Sequence, residues 1–277
     1  MWCCNLDRTK HERTLGKTAA ANCRTRTRTA ARGPGGIIET IVKCILLAAM
    51  LAAGTGVLAA SPVFEDSMAQ RTLACSACHG KEGRAGPDGY YPRIAGKPAG
   101  YLYNQLLNFR DGRRHYGLMT RLMDPLSDAY LLEIAQYFAG LDVPYVQPQA
   151  RANSPALLQQ GRALAMQGDS QRKIPACAQC HGEALTGVQP NTPGLVGLPR
   201  DYLSSQLGAW RTGQRRAHAP DCMADIARKL TLDDISAVAT WLAVQVPAAG
   251  SKPADALPRP SEIACGSASR PAGRQAP

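Results

Sequence analysis

Apolar residues are distributed along the chain in two distinct ways, one continuous and one periodic. From Cys44 to Phe64 there is no charge at all, and the strongly apolar part runs for about sixteen residues after Lys43 before reaching the small residues Ala59, Ala60 and Ser61. A short apolar run with a cation ahead of it and a small-residue exit is the pattern of a secretory signal. The competing reading is an uncleaved membrane anchor through residues 44–60, for which the run is slightly short. Beyond it the apolar positions become helical in period. Ser61-Pro62 opens a helix that Met68 to Ala74 continue. Tyr101 to Arg110 sets leucine and aromatic side chains at helical spacing, and Ser127 caps a helix from Asp128 to about Ala139 whose face is Leu131, Ile134, Ala135 and Phe138. Ser154-Pro155 opens another helix through Ala165, in which Gly161 suits close backbone packing. Loops rich in Gly and Pro separate these segments and offer little for regular structure.

The order of elements then repeats. Pro92 corresponds to Pro193, Gly96 to Gly197, Tyr101 to Tyr202, Gln105 to Gln206, Arg110 to Arg211 and Gly112 to Gly213. Met119 stands seven before Leu126-Ser127, and Met223 seven before Leu230-Thr231. The chain is therefore read as a tandem duplication with an all-α fold. Residues 1–60 form a basic extension plus signal or anchor, 61–148 the first domain, and 149–247 the second, reached through a linker at 144–152. Residues 248–277, with Pro, Ala, Ser and Gly and no periodicity, are read as a disordered tail.

Composition changes this picture little. The net charge is +11, but nine Lys and Arg against three acids fall in residues 1–60, so the folded part is only mildly basic and no nucleic-acid partner is expected. No Ser-His-Asp set, paired carboxylate site or phosphate loop is present, so the expectation is a protein that is not itself an enzyme.

The cysteines change it most. Four of ten fall in Cys75-Ser76-Ala77-Cys78-His79 and Cys177-Ala178-Gln179-Cys180-His181, and Cys-x-x-Cys-His is the attachment signature of c-type haem. Each thiol adds across one vinyl group of the ring, and the adjacent histidine falls under the iron. A zinc ribbon would bring its two Cys pairs within about twenty residues of each other, whereas these start 102 apart and each carries its own histidine. A thioredoxin-like centre would follow a strand, and neither copy does. Two covalently bound haem c groups are expected. A thioether on the far side of the iron raises its potential, and Met119 and Met223 are the expected sixth ligands beside His79 and His181. Met123 is the nearest rival, but Ala227 occupies its equivalent place. His115, His218 and Cys222 lie close enough to compete as ligands. The other cysteines show no paired spacing of a disulfide framework, and Cys265 is left as a lone thiol. Arg110 and Arg211, at matched positions, are expected to neutralise haem propionates; Arg113, Arg114, Arg215 and Arg216 are expected on a solvated face.

These residues resemble the two-domain di-haem cytochromes c, specifically the cytochrome c-four family, over roughly residues 62–246. The resemblance rests on the two Cys-x-x-Cys-His-Gly stretches, the Pro-x-x-x-Gly segment, Tyr-Leu-x-x-Gln-Leu, and Met followed seven later by Leu-Ser or Leu-Thr. It implies two tandem class I cytochrome c domains related by pseudo-twofold symmetry, with propionates facing across their interface. It also implies single-electron transfer in a periplasmic respiratory chain toward a terminal oxidase, the alternative being a cytochrome subunit that accepts electrons from a partner dehydrogenase. The long N-terminal extension, Cys222 and the tail depart from the family's pattern.

Overall fold

The structure, a computed structural model, describes residues 39–46, 65–86, 89–146 and 153–268. The expected apolar signal or anchor beyond residue 46, the Ser61-Pro62 helix start and most of the linker lie outside the described residues. Residues 39–46 form a helix, α1, exposed throughout and braced by a Lys43–Glu39 pair at 2.9 Å one turn apart. It belongs to a unit separate from that of the repeats. Among the described residues no helix is long and apolar enough to cross a membrane.

In the first repeat a helix broken in two leads to the first haem-attachment motif. Ser67 caps α2 (Met68–Arg71) by accepting from the Gln70 N–H at 3.3 Å, and α3 (Leu73–His79) carries the motif. Between them Thr72 leaves helical geometry and turns its buried hydroxyl back onto the Met68 carbonyl at 2.6 Å. Then come α4 (Ala99–Arg110), α5 (Gly117–Met123) and α6 (Asp128–Gly140), the last capped by Ser127. The face expected from the sequence, Leu131, Ile134, Ala135 and Phe138, is buried against Leu102, Tyr103, Leu107 and Phe109 of α4.

The second repeat has α7 (Pro155–Met166), α8 (Ala178–His181), α9 (Arg200–Arg211), α10 (Cys222–Lys229) and α11 (Leu232–Ala243). Its Gly/Pro loop adds a two-residue antiparallel pair, β1 (Gly187–Val188) with β2 (Thr192–Pro193). The fold is all-α apart from this ladder and isolated bridges. Helix α11 packs chiefly on α7 and α9. The α7 crossing depends on Gly161, because a Cβ there would run into the Ala237 carbonyl and lie 2.7 Å from the Trp241 Cβ. Helix α11 opens on a capping box. The Thr231 hydroxyl accepts from the Asp234 N–H at 3.1 Å, and the Asp234 carboxylate accepts from the Thr231 N–H at 2.9 Å.

The two repeats lie within one compact unit, and their pairing has approximate twofold character. Arg114 and Arg215 face each other as an antiparallel bridge, and the Arg216 N–H reaches the Arg113 carbonyl at 2.7 Å.

The C-terminal segment departs from expectation. Residues 248–268 are a strap laid over the second repeat, not a disordered tail. Ala254 pairs beside β1, giving its N–H to the Gly187 carbonyl at 2.9 Å and accepting from the Gln189 N–H at 2.8 Å. Composition could not show this, since the strap is held by backbone and side-chain hydrogen bonds and one covalent link, not by an apolar face.

Gly161→Ala is expected to lower stability by roughly 1–3 kcal/mol through overpacking, read as a shifted midpoint in urea unfolding. At Asp234, burial is the largest influence and would raise the carboxyl; Arg172 at 2.6 Å and the Thr231 contacts outweigh it and hold it at about 2. A carboxyl depressed on folding adds stability above its unfolded value of 3.8 and loses it as pH falls toward about 2. Asp234→Asn is therefore expected to cost about 1–2 kcal/mol near neutrality. Urea unfolding between pH 5 and about pH 2 is expected to show this difference shrinking.

Candidate functional site

Each Cys-x-x-Cys-His motif ends a short helix, which sets its two thiols one turn apart and its histidine at the C-terminus. The chain then leaves at once through Gly80 (φ +76°) and Gly182 (φ +84°), left-handed backbone that a side chain disfavours. Both histidines are buried, and both are oriented alike. The Nδ1 of His79 lies 2.8 Å from the Pro92 carbonyl, and that of His181 lies 2.7 Å from the Pro193 carbonyl. A carbonyl can only accept, so in each ring Nδ1 carries the proton, which is the tautomer whose Nε2 can ligate a metal. Burial, more than any other influence, lowers the His181 pKa and keeps the ring neutral, which is the ligating form. Burial also pushes the Cys177 thiol up to about 11.

In the first repeat these groups open onto a cavity of about 620 Å³. Cys75, Cys78 and His79 lie on its wall, and so does Met119. Apolar walls come from Leu102, Phe109, Ile134 and Phe138. Both methionine candidates stand on short helices instead of in loops, Met119 on α5 and Met223 on α10. Met123 also touches the cavity but is buried at 3% exposure within the core cluster, while Met119 packs only partly buried beside it. In the second repeat Cys177 packs against the cluster around Leu198, Tyr202 and Val238, and Met223 is half-buried at the second position of α10.

The polar end of the cavity corrects the arginine assignment. Arg110 and Arg211 do play matched parts, but not there. Arg110 donates to the Leu126 carbonyl at 3.1 Å and pairs with Asp128 at 2.7 Å, and Arg211 donates to the Leu230 carbonyl at 2.6 Å. Each secures the turn before its repeat's last helix, and neither lines the cavity. Arg114 and Arg215, expected on a solvated face, are buried and do line it. Gln105 accepts from both, at 3.1 and 2.8 Å, and so does Gln206, at 2.9 and 2.7 Å. Arg114 stacks on Phe109 at 4.4 Å and Arg215 on Trp210 at 3.7 Å. Arg114 also donates to the Tyr202 hydroxyl at 2.9 Å. Burial would raise the Tyr202 phenol, but Arg114 and Arg215 hold it down at about 8.

Two buried guanidiniums therefore face one another on neutral partners. Among the described residues neither forms an ion pair with a carboxylate. Burying cations without a counter-anion is costly, so this end of the cavity is built for an anionic group from outside the polypeptide. Thiols at attachment spacing, an imidazole with a fixed tautomer, a thioether, apolar walls and cations at one end together match the outline and chemistry of haem c.

Cys222 is bonded to Cys265. This corrects two expectations at once, because Cys222 is not available as a competing thiolate ligand and Cys265 is not a lone thiol. His115 lies on the cavity wall, and the His218 backbone N–H donates to the Ser267 hydroxyl at 3.3 Å.

No protein-family model matches the chain. It is 38% identical over 186 residues to a thiosulfate dehydrogenase electron acceptor of Thiomonas intermedia (strain K12), covering 67% of this chain and 85% of that protein. It is 33% identical over 174 residues to cytochrome c4 of Pseudomonas aeruginosa, covering 62% and 84% respectively. Reduced cytochrome c4 from Pseudomonas stutzeri superposes with a TM-score of 0.55 at 31% identity, over 63% of this chain and 95% of that one. The chain belongs to the cytochrome c4 family. Cytochrome c4-like proteins are electron carriers with covalently bound haem c, and this chain is such a carrier. A structure of thiosulfate dehydrogenase from Marichromatium purpuratum also matches, with a TM-score of 0.56 at 33% identity, but this chain covers only 36% of it.

Reading the sequence missed the Arg114–Arg215 pair and the Cys222–Cys265 bridge. A signal for the first was present, since the offset that pairs Arg110 with Arg211 also pairs Arg114 with Arg215. No spacing signalled the second.

Proposed function

We propose that each repeat would hold one haem c, the first through Cys75 and Cys78 with His79 and Met119 as iron ligands, and the second through Cys177 and Cys180 with His181 and Met223. Bound haem supplies one reversible electron per site. The chain's own residues do the rest. The cysteines fix the ring, the proline carbonyls aim the imidazoles, and the methionines from apolar walls favour the reduced state. Arg114 and Arg215 meet propionates at the interface between the repeats. The observation that carries this reading is the cavity on which Cys75, Cys78, His79 and Met119 converge, together with the second copy of the same residues in register.

The working role is to carry single electrons outside the cytoplasm, in the periplasm, toward a terminal oxidase. The apolar run of residues 44–60 supports export, either as a cleaved signal or as an anchor to the periplasmic face of the inner membrane. The Cys222–Cys265 disulfide also supports it, because disulfides persist in oxidising compartments. A partner dehydrogenase is the proposed donor. The observation favouring it is that relatives 38% and 37% identical are electron acceptors of thiosulfate dehydrogenase.

A redox titration of the haem-stained protein from the periplasmic fraction is expected to give two midpoints, both low-spin. Met119→Ala and Met223→Ala should each remove part of the red charge-transfer band of iron–thioether ligation and lower one midpoint by on the order of 0.1–0.3 V. Arg114→Leu should lower the midpoints as well; unchanged midpoints would remove Arg114 from the site. In stopped flow, thiosulfate dehydrogenase with thiosulfate is expected to reduce the oxidised protein, more slowly as salt rises. No reduction by this enzyme, with both haems reducible by dithionite, would discard this donor.

A further inference from the structure

The two methionines are held in different ways. Leu118, which precedes Met119, is 55% exposed and makes no covalent link. Its counterpart before Met223 is Cys222, buried at the first position of α10 and bonded to Cys265 across 43 residues. The two residues after Cys265 tie the strap to the same loop. The Gly266 N–H donates to the Pro220 carbonyl at 2.9 Å, and the Ser267 hydroxyl accepts from the His218 N–H at 3.3 Å. Earlier in the strap, Ser261 places its hydroxyl 3.5 Å from the Cys180 sulfur. The strap thus touches the second site both at an attachment cysteine and at the residue next to its methionine.

We infer that the strap, through the Cys222–Cys265 bridge, is a positioning element that locks Met223 at the second haem, a covalent restraint that Met119 at the first site lacks. This rests on the reading of Met223 as an axial ligand. For an added ligand to bind the iron, Met223 must first leave it, and the apparent affinity of that ligand falls by the fraction of molecules in which it has left. Held at Cys222, the start of α10 cannot move out without breaking the strap's bonds to the loop. The first site has no such restraint.

The test uses the intact di-haem protein in a Met119→Ala background, so that the red charge-transfer band reports Met223 alone, and titrates imidazole against that band. Cutting the bridge with Cys222→Ala/Cys265→Ala, which leaves no thiol to bind the iron, is expected to raise the imidazole affinity of the second site about tenfold or more. With Met119 restored, the affinity of the first site is expected not to change. If the band is missing in the Met119→Ala protein, or survives Met223→Ala, the ligand reading itself is wrong. If the band is present and depends on Met223, but imidazole binds equally well with and without the bridge, the strap is only packing and the inference is overturned. Should the double variant not accumulate, the same titration on protein reduced by a dithiol and alkylated decides between these outcomes, since thioether haem links resist that treatment.

Discussion

Two like charges buried face to face organise the molecule. Arg114 and Arg215 lie at the junction of the repeats, each stacked on an aromatic ring of its own repeat and each bonded to Gln105 and Gln206. Neutral amides and phenols spread this charge without cancelling it, and the desolvation of two guanidiniums is too costly to be left uncompensated. An anion from the bound group is the natural counterweight. A group that supplied this anion would join the repeats as well as fill a pocket, and folding, pairing of the repeats and loading would then be linked equilibria.

The parts legible in the sequence are those in which local chemistry decides the outcome. The attachment motifs, the Ser127 cap, the α6 face and the close packing at Gly161 could all be read from neighbours within a turn or two of helix. The duplication was legible because matched residues recur at a nearly constant offset. The role of an arginine after the middle helix was not. Arg110 ends α4 and Arg114 follows four residues later past the turn, and only tertiary packing decides that one secures a turn through the Leu126 carbonyl while the other is buried against Phe109. The strap was illegible for a different reason. Its contacts are backbone bonds, scattered side-chain hydrogen bonds and one disulfide, none of which leaves a periodic apolar pattern, so its composition of Pro, Ala, Ser and Gly resembles disorder.

Within the duplication the copies have diverged where they meet each other. Lys97 stands where the second repeat has Leu198. Burial brings its ammonium down to about 8, and it donates to the Gly194 carbonyl at 3.0 Å. Gly194 follows Pro193, whose own carbonyl sets the His181 ring.

A cation from one copy thus bonds the carbonyl next in the chain to the one that aims the histidine of the other. Severed into halves, the chain would leave the first with a bare ammonium on a newly wetted face and the second with a slackened imidazole. The cut would also break the Arg114–Gln206 and Arg215–Gln105 bonds, which likewise cross from one copy to the other.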